Sequence, residues 1–160
     1  MLTTAIATTG LALAAVLMAD WRGLTRLEWV AKPLASAGFM AVAVLSGATT
    51  TTYGVAILAA LALSMVGDVA LIARGRGTGF LVGLGAFLLG HVAFAVAFVV
   101  RGASLPHTLV SAIPLIAVAS VVLRWLIPHV ATGMRAPVFA YVAAICAMVA
   151  LSLGTLAGPS

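Results

Sequence analysis

Three ionisable side chains stand where an oily chain has little use for charge: Lys32, Asp68 and His91. Asp68 ends Ser64-Met65-Val66-Gly67-Asp68, and His91 ends Gly83-Leu84-Gly85-Ala86-Phe87-Leu88-Leu89-Gly90-His91. An aspartate at the middle of a membrane span costs at least about 2.5–3.5 kcal/mol, so a carboxyl placed there is a functional candidate by default. Apolar surroundings favour the neutral form of a carboxyl, which is the form able to donate a proton. Asp68 is therefore the candidate acid, unless it serves as structural glue by pairing with Lys32 or Arg74. His91 is a candidate base, hydrogen-bond partner or helix crosslink. Lys32, just before Pro33, suits either snorkelling to the interface or receiving a lipid phosphate. Ser64 sits one helical turn before Asp68.

The elements that must carry these groups are membrane helices. The chain has 160 residues, of which 64% are hydrophobic and only 7% charged, with a mean hydropathy of +1.29. A soluble domain has roughly 25% charged residues. There is no Asn or Gln, and the acids are Asp20, Glu28 and Asp68. Runs matching the ~20 residues needed to cross a bilayer lie at about 2–19, 31–47, 53–73, 80–100, 108–127 and 136–156. The expected fold is an all-α polytopic bundle of six transmembrane helices forming a single domain over 1–160. The first run has no basic segment before it, so it reads as a span rather than a cleaved signal.

Basic residues mark the sides. Arg22, Arg26, Lys32, Arg74, Arg76, Arg124 and Arg135 fall on one side and Arg101 on the other. The positive-inside rule then makes the loops after spans one, three and five cytoplasmic and puts the N-terminus outside. Trp21, Trp29 and Trp125 fall near the cytoplasmic boundary as headgroup anchors. Scattered singly, the basic residues form no nucleic-acid patch despite the net charge of +5.

The turn Arg74-Gly75-Arg76-Gly77-Thr78-Gly79 is glycine-rich and basic, but no strand precedes it, so it reads as a tight cytoplasmic turn rather than a phosphate loop. With that turn closed, counting ~1.5 Å per residue brings Ala86 level with Asp68 and leaves His91 ~7 Å deeper. Gly79 and Gly83 would let another helix approach the fourth span closely. Pro33 and Pro137 read as first-turn prolines, and Pro114 as a mid-span kink. Ala48-Thr49-Thr50-Thr51-Thr52-Tyr53 reads as an uncharged external loop. Cys146 reads as a buried small hydrophobe. His107 and His129 fall about a span (~30 Å) apart, which argues against a three-histidine metal site; they and the tyrosines Tyr53 and Tyr141 read as interfacial groups. No metal or cofactor is implied.

Ala31-Lys32-Pro33-Leu34, Leu63-Ser64-Met65-Val66-Gly67-Asp68-Val69-Ala70-Leu71 and Phe80-Leu81-Val82-Gly83-Leu84-Gly85-Ala86-Phe87-Leu88-Leu89-Gly90-His91 together resemble the signature of the YhhN-type membrane proteins, which include the animal lysoplasmalogenases. Pro137-Val138-Phe139-Ala140-Tyr141 with Met148 is similar to the sixth-span pattern of that family. The resemblance covers about residues 25–150 and implies a membrane hydrolase. Its reaction would cleave the vinyl ether bond of a lysoplasmalogen-type lysophospholipid, giving a fatty aldehyde and a glycerophospho-base. Members of the family continue into two further spans that include a Ser-Asp pair, whereas the sequence here ends at Gly158-Pro159-Ser160, so a short member or a fragment is expected.

Vinyl ether hydrolysis needs an acid that protonates carbon and a group that stabilises the cation and guides water. The expected roles are acid or cation stabiliser for Asp68 and water or proton relay for His91, with the exchange of these two left open. Lys32 takes the phosphate and Ser64 supplies a hydrogen bond. The expected location is a plasma membrane of bacterial type, with membrane lipid and the lysophospholipid as partners. A proton-coupled transporter or a structural membrane subunit is the competing class, since carboxylate–histidine relays also serve transport. No internal repeat or matched pair of broken helices supports it.

Overall fold

In a chain this apolar, only structures that satisfy their own backbone hydrogen bonds can sit in lipid, and each long run closes on itself as a helix. The computed structural model describes residues 1–72 and 77–157. Its long helices are α1 (Leu2–Arg22), α2 (Thr25–Leu45), α3 (Thr52–Ile72), α4 (Thr78–Val100), α5 (Leu105–Leu126) and α6 (Arg135–Gly154). All six are long and apolar enough to cross a membrane. Single-turn 3₁₀ segments at Ala48–Thr50, Ile127–His129, Thr132–Met134 and Thr155–Ala157 join or end them. The all-α, six-span reading is thus the observed architecture. Arg74, Gly75 and Arg76 of the basic turn lie outside the described residues, as does any pairing of Arg74 with Asp68.

One boundary differs in a way that matters. The apolar run predicted a second span from residue 31, with Pro33 in its first turn, whereas α2 starts at Thr25 and holds Pro33 in its interior. Hydropathy marks the part of a helix that seeks lipid, and the polar residues ahead of that part, Thr25, Arg26 and Glu28, belong to the same helix. A proline at this position cannot donate to the carbonyl four residues back, that of Trp29.

The chain divides into two compact units, Met1–Gly90 and His91–Ser160, with the division inside α4. In the first unit α1 packs on α2 and α2 on α3. The turn between α1 and α2 is set by Gly23, which closes α1 at φ 66° while the Leu24 amide returns to the Ala19 carbonyl at 2.8 Å. That left-handed closure is the standard use of glycine after a helix. Thr9 is buried where α1 meets Gly38 of α2; a methyl group on Gly38 would collide with its hydroxyl. In the connection read as an external loop, the Thr51 hydroxyl accepts the Gly54 amide at 3.0 Å and caps α3.

Against α3, the first half of α4 lies close because its glycines leave room. A Cβ on Gly83 would stand 2.7 Å from the Leu71 side chain, and one on Gly90 would stand 3.1 Å from Ser64 Oγ. Conversely, Gly67 of α3 receives the Phe87 ring, which a Cβ there would meet at 2.6 Å. Gly83 is thus the close-approach point the sequence suggested, and α3 is the helix that approaches. These three contacts fix an antiparallel register in which Ala86 stands level with Asp68, as the spacing predicted.

In the second unit α5 packs on α6. The Ser104 amide donates to the Gly154 carbonyl at 3.0 Å, and Gly154 lies against Thr108 with no room for a methyl group. α5 runs continuously through Pro114. Cys146 is half-buried, not buried, and lines a shallow groove with Thr108, Ala112 and Ala150. Small neighbours on a two-helix face cannot cover its thiol.

Candidate functional site

The polar groups of the first unit gather on one stripe of α2. Glu28, Lys32 and Ser36 recur every four residues, so they stack along the same face. Glu28 is wholly buried, and its Oε2 lies 3.9 Å from Lys32 Nζ, whose side chain is 22% exposed. One turn further on, Ser36 Oγ donates to Asp68 Oδ2 on α3 at 2.7 Å. Ser36 is buried and Asp68 is half-buried. A buried carboxyl must find partners, because an unsatisfied one carries the full cost of its lost water. Here α2 supplies a hydroxyl for Asp68, while Lys32 stands at ion-pair distance from Glu28, without a hydrogen bond to its Oε2.

The sequence left open whether Asp68 pairs with Lys32. Lys32 pairs instead with Glu28, along its own helix, and Asp68 pairs across helices with Ser36. Ser64 stands one turn from Asp68 on α3, where its hydroxyl donates to the Ala60 carbonyl at 3.0 Å. It also borders Gly90. His91 opens the second unit, where its ring meets Tyr141 of α6 edge-on at a centroid distance of 5.2 Å. Tyr141, read from the sequence as an interfacial group, is the ring partner of His91.

The other histidines work locally. His107 Nδ1 lies 3.1 Å from Ser104 Oγ at the start of α5, and His129 Nδ1 lies 2.9 Å from the Trp125 carbonyl at its end. Among the described residues no three His, Cys, Asp or Glu side chains cluster as a metal site would require. Trp21, Trp29 and Trp125 are all exposed on the isolated chain, as headgroup anchors would be.

Two members of the α2 stripe escaped the sequence reading. Ser36 sits in Ala35-Ser36-Ala37-Gly38, a run that reads as helix packing, and Glu28 sits outside the apolar window. The available signal was the four-residue spacing Glu28, Lys32, Ser36, which becomes visible once α2 is known to begin before residue 28.

What these observations define is an all-α polytopic membrane protein with a carboxyl inside a span, held by a hydroxyl from the neighbouring helix. The particular family follows from the sequence match: the YhhN family model matches residues 27–159, and the chain belongs to that family. Neither a curated protein nor a solved structure matches the chain.

Proposed function

We propose that the chain is a membrane hydrolase that cleaves the vinyl ether bond of lysophospholipids, with Asp68 as the acid. The observation that carries this reading is Asp68 itself. It is a half-buried carboxyl on an apolar span, anchored through Oδ2 by Ser36, in a chain of the YhhN family. A group that must deliver a proton to carbon has to be held still, and a fixed acid contributes about 10²–10⁴-fold to such a step.

The reaction runs as follows. Asp68 gives its proton to the alkenyl carbon remote from the ether oxygen. The π pair forms that C–H bond, and an oxygen lone pair closes the oxocarbenium ion. Water attacks the carbon next to the oxygen and returns a proton to the Asp68 carboxylate, leaving a hemiacetal. As the hemiacetal's bond to the glycerol oxygen breaks, its hydroxyl loses a proton and the glycerol oxygen gains one, releasing a fatty aldehyde and a glycerophospho-base. The sum adds one water and restores the acid. The ionised Asp68 also stabilises the cation while it lasts.

Lys32 is the proposed partner of the lipid phosphate. It stands one turn, about 6 Å of rise, from Ser36 along α2. A lysolipid places its phosphate and its ether oxygen at the two ends of a three-carbon glycerol, which suits that short separation. The Lys32 side chain is part exposed. We place this end of α2, with Arg22 and Arg26, on the cytoplasmic side of a plasma membrane by the positive-inside rule.

The test is aldehyde release from a vinyl ether lysophospholipid by the full chain in detergent, with the matching acyl ester lipid alongside. We expect aldehyde without any ion gradient, an untouched ester, and loss of the activity in Asp68→Asn. An inserted, folded Asp68→Asn that keeps most of its activity removes Asp68 from the role. Transport dependent on a sealed, energised vesicle, without aldehyde, would replace the hydrolase by the transporter reading.

A further inference from the structure

We propose that Ser36 is a positioning residue that decides which oxygen of Asp68 carries the catalytic proton; this rests on the hydrolase reading above. A serine inside a helix commonly returns its hydroxyl to the carbonyl four residues back. Thr8, Thr9, Ser64, Thr108 and Ser120 of this chain all do so, at 2.7–3.0 Å. Ser36 departs from that pattern. Its hydroxyl leaves α2 and donates to Asp68 Oδ2 at 2.7 Å, in a position where Ser36 is only 9% exposed and water has little access to compete.

The direction of that bond has a chemical consequence. The 2.7 Å contact fits either group as donor; in this proposal the Ser36 hydroxyl donates, so Oδ2 accepts and the acid proton of Asp68 sits on Oδ1. Oδ1 is then the oxygen that faces the alkenyl carbon. Once the proton leaves, the same bond holds the new carboxylate, because a donor aimed at a charged group stabilises the charged form. Ser36 thus fixes the side chain's rotation before transfer and shares the charge after it. It touches neither substrate nor reacting carbon and acts only through Asp68. Lys32, on the same face one turn away, holds the other end of the lipid relative to that oxygen.

A bond that only tied α2 to α3 would make a different prediction. Its loss would lower thermal stability and leave turnover per folded molecule alone. The experiment measures kcat, KM, the solvent deuterium isotope effect and the melting temperature of the full chain in detergent, on a vinyl ether lysophosphatidylethanolamine, for Ser36→Ala, Ser36→Thr and Ser36→Cys. A hydrogen bond to a charged group, when lost, costs about ten- to a hundredfold. For Ser36→Ala we expect a fall of that size in kcat, with KM within about twofold of the parent protein. Its isotope effect should be at least as large, because proton transfer becomes more fully rate-limiting. Ser36→Thr keeps the hydroxyl and should restore most of the rate, while Ser36→Cys, a weaker donor, should fall between. If Ser36→Ala does not insert, the Thr and Cys pair makes the same comparison.

Alongside, the infrared carboxyl band of protein labelled with ¹³C-aspartate, identified by its loss in Asp68→Asn, should shift in Ser36→Ala. Unchanged kcat in a folded Ser36→Ala or Ser36→Cys overturns the proposal, as does a rate that follows melting temperature and is not rescued by threonine. If the parent protein releases no aldehyde, the hydrolase reading fails and takes the positioning role with it. A band that still shifts would then show that the bond itself exists. An unshifted band in an active enzyme means that no bond joins Ser36 to Asp68, and it overturns the proposal.

Discussion

The two compact units differ in one use of their polar groups. In residues 1–90, Thr9 and Ser64 return their hydroxyls to the carbonyl four residues back, but Ser36 crosses to Asp68 and Glu28 is wholly buried beside Lys32. In residues 91–160, the hydroxyl bonds described stay within four residues of sequence. Thr108, Ser120 and Thr155 each donate to a carbonyl three or four residues back, at 2.7–2.9 Å. α5 has no buried residue among its 22, whereas α2 has four among its 21. Helices that only cross lipid can satisfy their polar atoms locally. Ser36 crosses to a neighbouring helix to hold a carboxyl, and under the proposed reading that difference points to α2 and α3 as the place of the chemistry.

The hardest test of this contrast is Asp68→Asn. The amide keeps the shape and can still accept from Ser36, but it has no proton to give. We expect aldehyde release to fall by about 10² or more, with little change in melting temperature. A comparable fall from a change confined to α5, such as Ser120→Ala, would erase the distinction between the units. Next in size is His91→Phe, which keeps a ring to meet Tyr141 and removes both nitrogens. We propose His91 as the water or proton relay, so turnover should fall by about 10². Unchanged turnover would leave His91 with packing against Tyr141 as its role, and would confine the reacting groups to α2 and α3.

The contrast was only partly visible in the sequence, and the reason is physical. Hydropathy integrates over a window of about 20 residues, so it registers six spans and isolates Asp68 within one of them. The α3–α4 register was legible too, because a short turn leaves two rigid helices few ways to align. Ser36 was not legible. One hydroxyl among alanines changes hydropathy little, and only the packing of α2 on α3 tells whether it bonds its own backbone or a neighbour. Glu28 escaped for a different reason: an acid outside the apolar window reads as a solvated helix start, and its burial depends on what covers it in three dimensions. Pro33 was misplaced by the same error, since the window set the start of α2 at residue 31 and the helix begins at Thr25.

The ion pair on α2 offers a third test, because its members differ in exposure. Glu28 is fully buried, whereas the Lys32 side chain is 22% exposed and can turn its ammonium outward. Removing one member of a buried pair costs about 3–5 kcal/mol when the remaining charge has nowhere to go. Lys32→Met strands the buried carboxylate without this partner and should approach the lower end of that range. Glu28→Gln leaves a lysine that can reach the interface and should cost clearly less. Thermal melting in detergent compares the two, and equal losses would mean that Lys32 is no freer than Glu28. The same variants separate stability from recognition: Lys32→Met should also raise KM for the phospholipid, while Glu28→Gln should leave phosphate binding in place.

The smallest effects come from two glycines on facing helices, and they test whether close packing is concentrated around Asp68. Beside it, Gly67 has the Phe87 ring where a Cβ would stand, at 2.6 Å, and an aromatic ring packed against a helix cannot retreat freely. Gly67→Ala should therefore destabilise by about 1–3 kcal/mol, the usual cost of overpacking. Gly85, on α4, has nothing within 4 Å of the point its own Cβ would occupy. Gly85→Ala should instead stabilise by about 0.5–1 kcal/mol, because alanine loses less backbone freedom in a helix. Opposite signs in melting temperature would mean that glycine is needed on the face of α4 that touches α3 and is incidental on another face at the same level. If both variants destabilise, Gly85 also packs against something in the folded protein, and the tight region around Asp68 extends further along α4 than its contacts indicate.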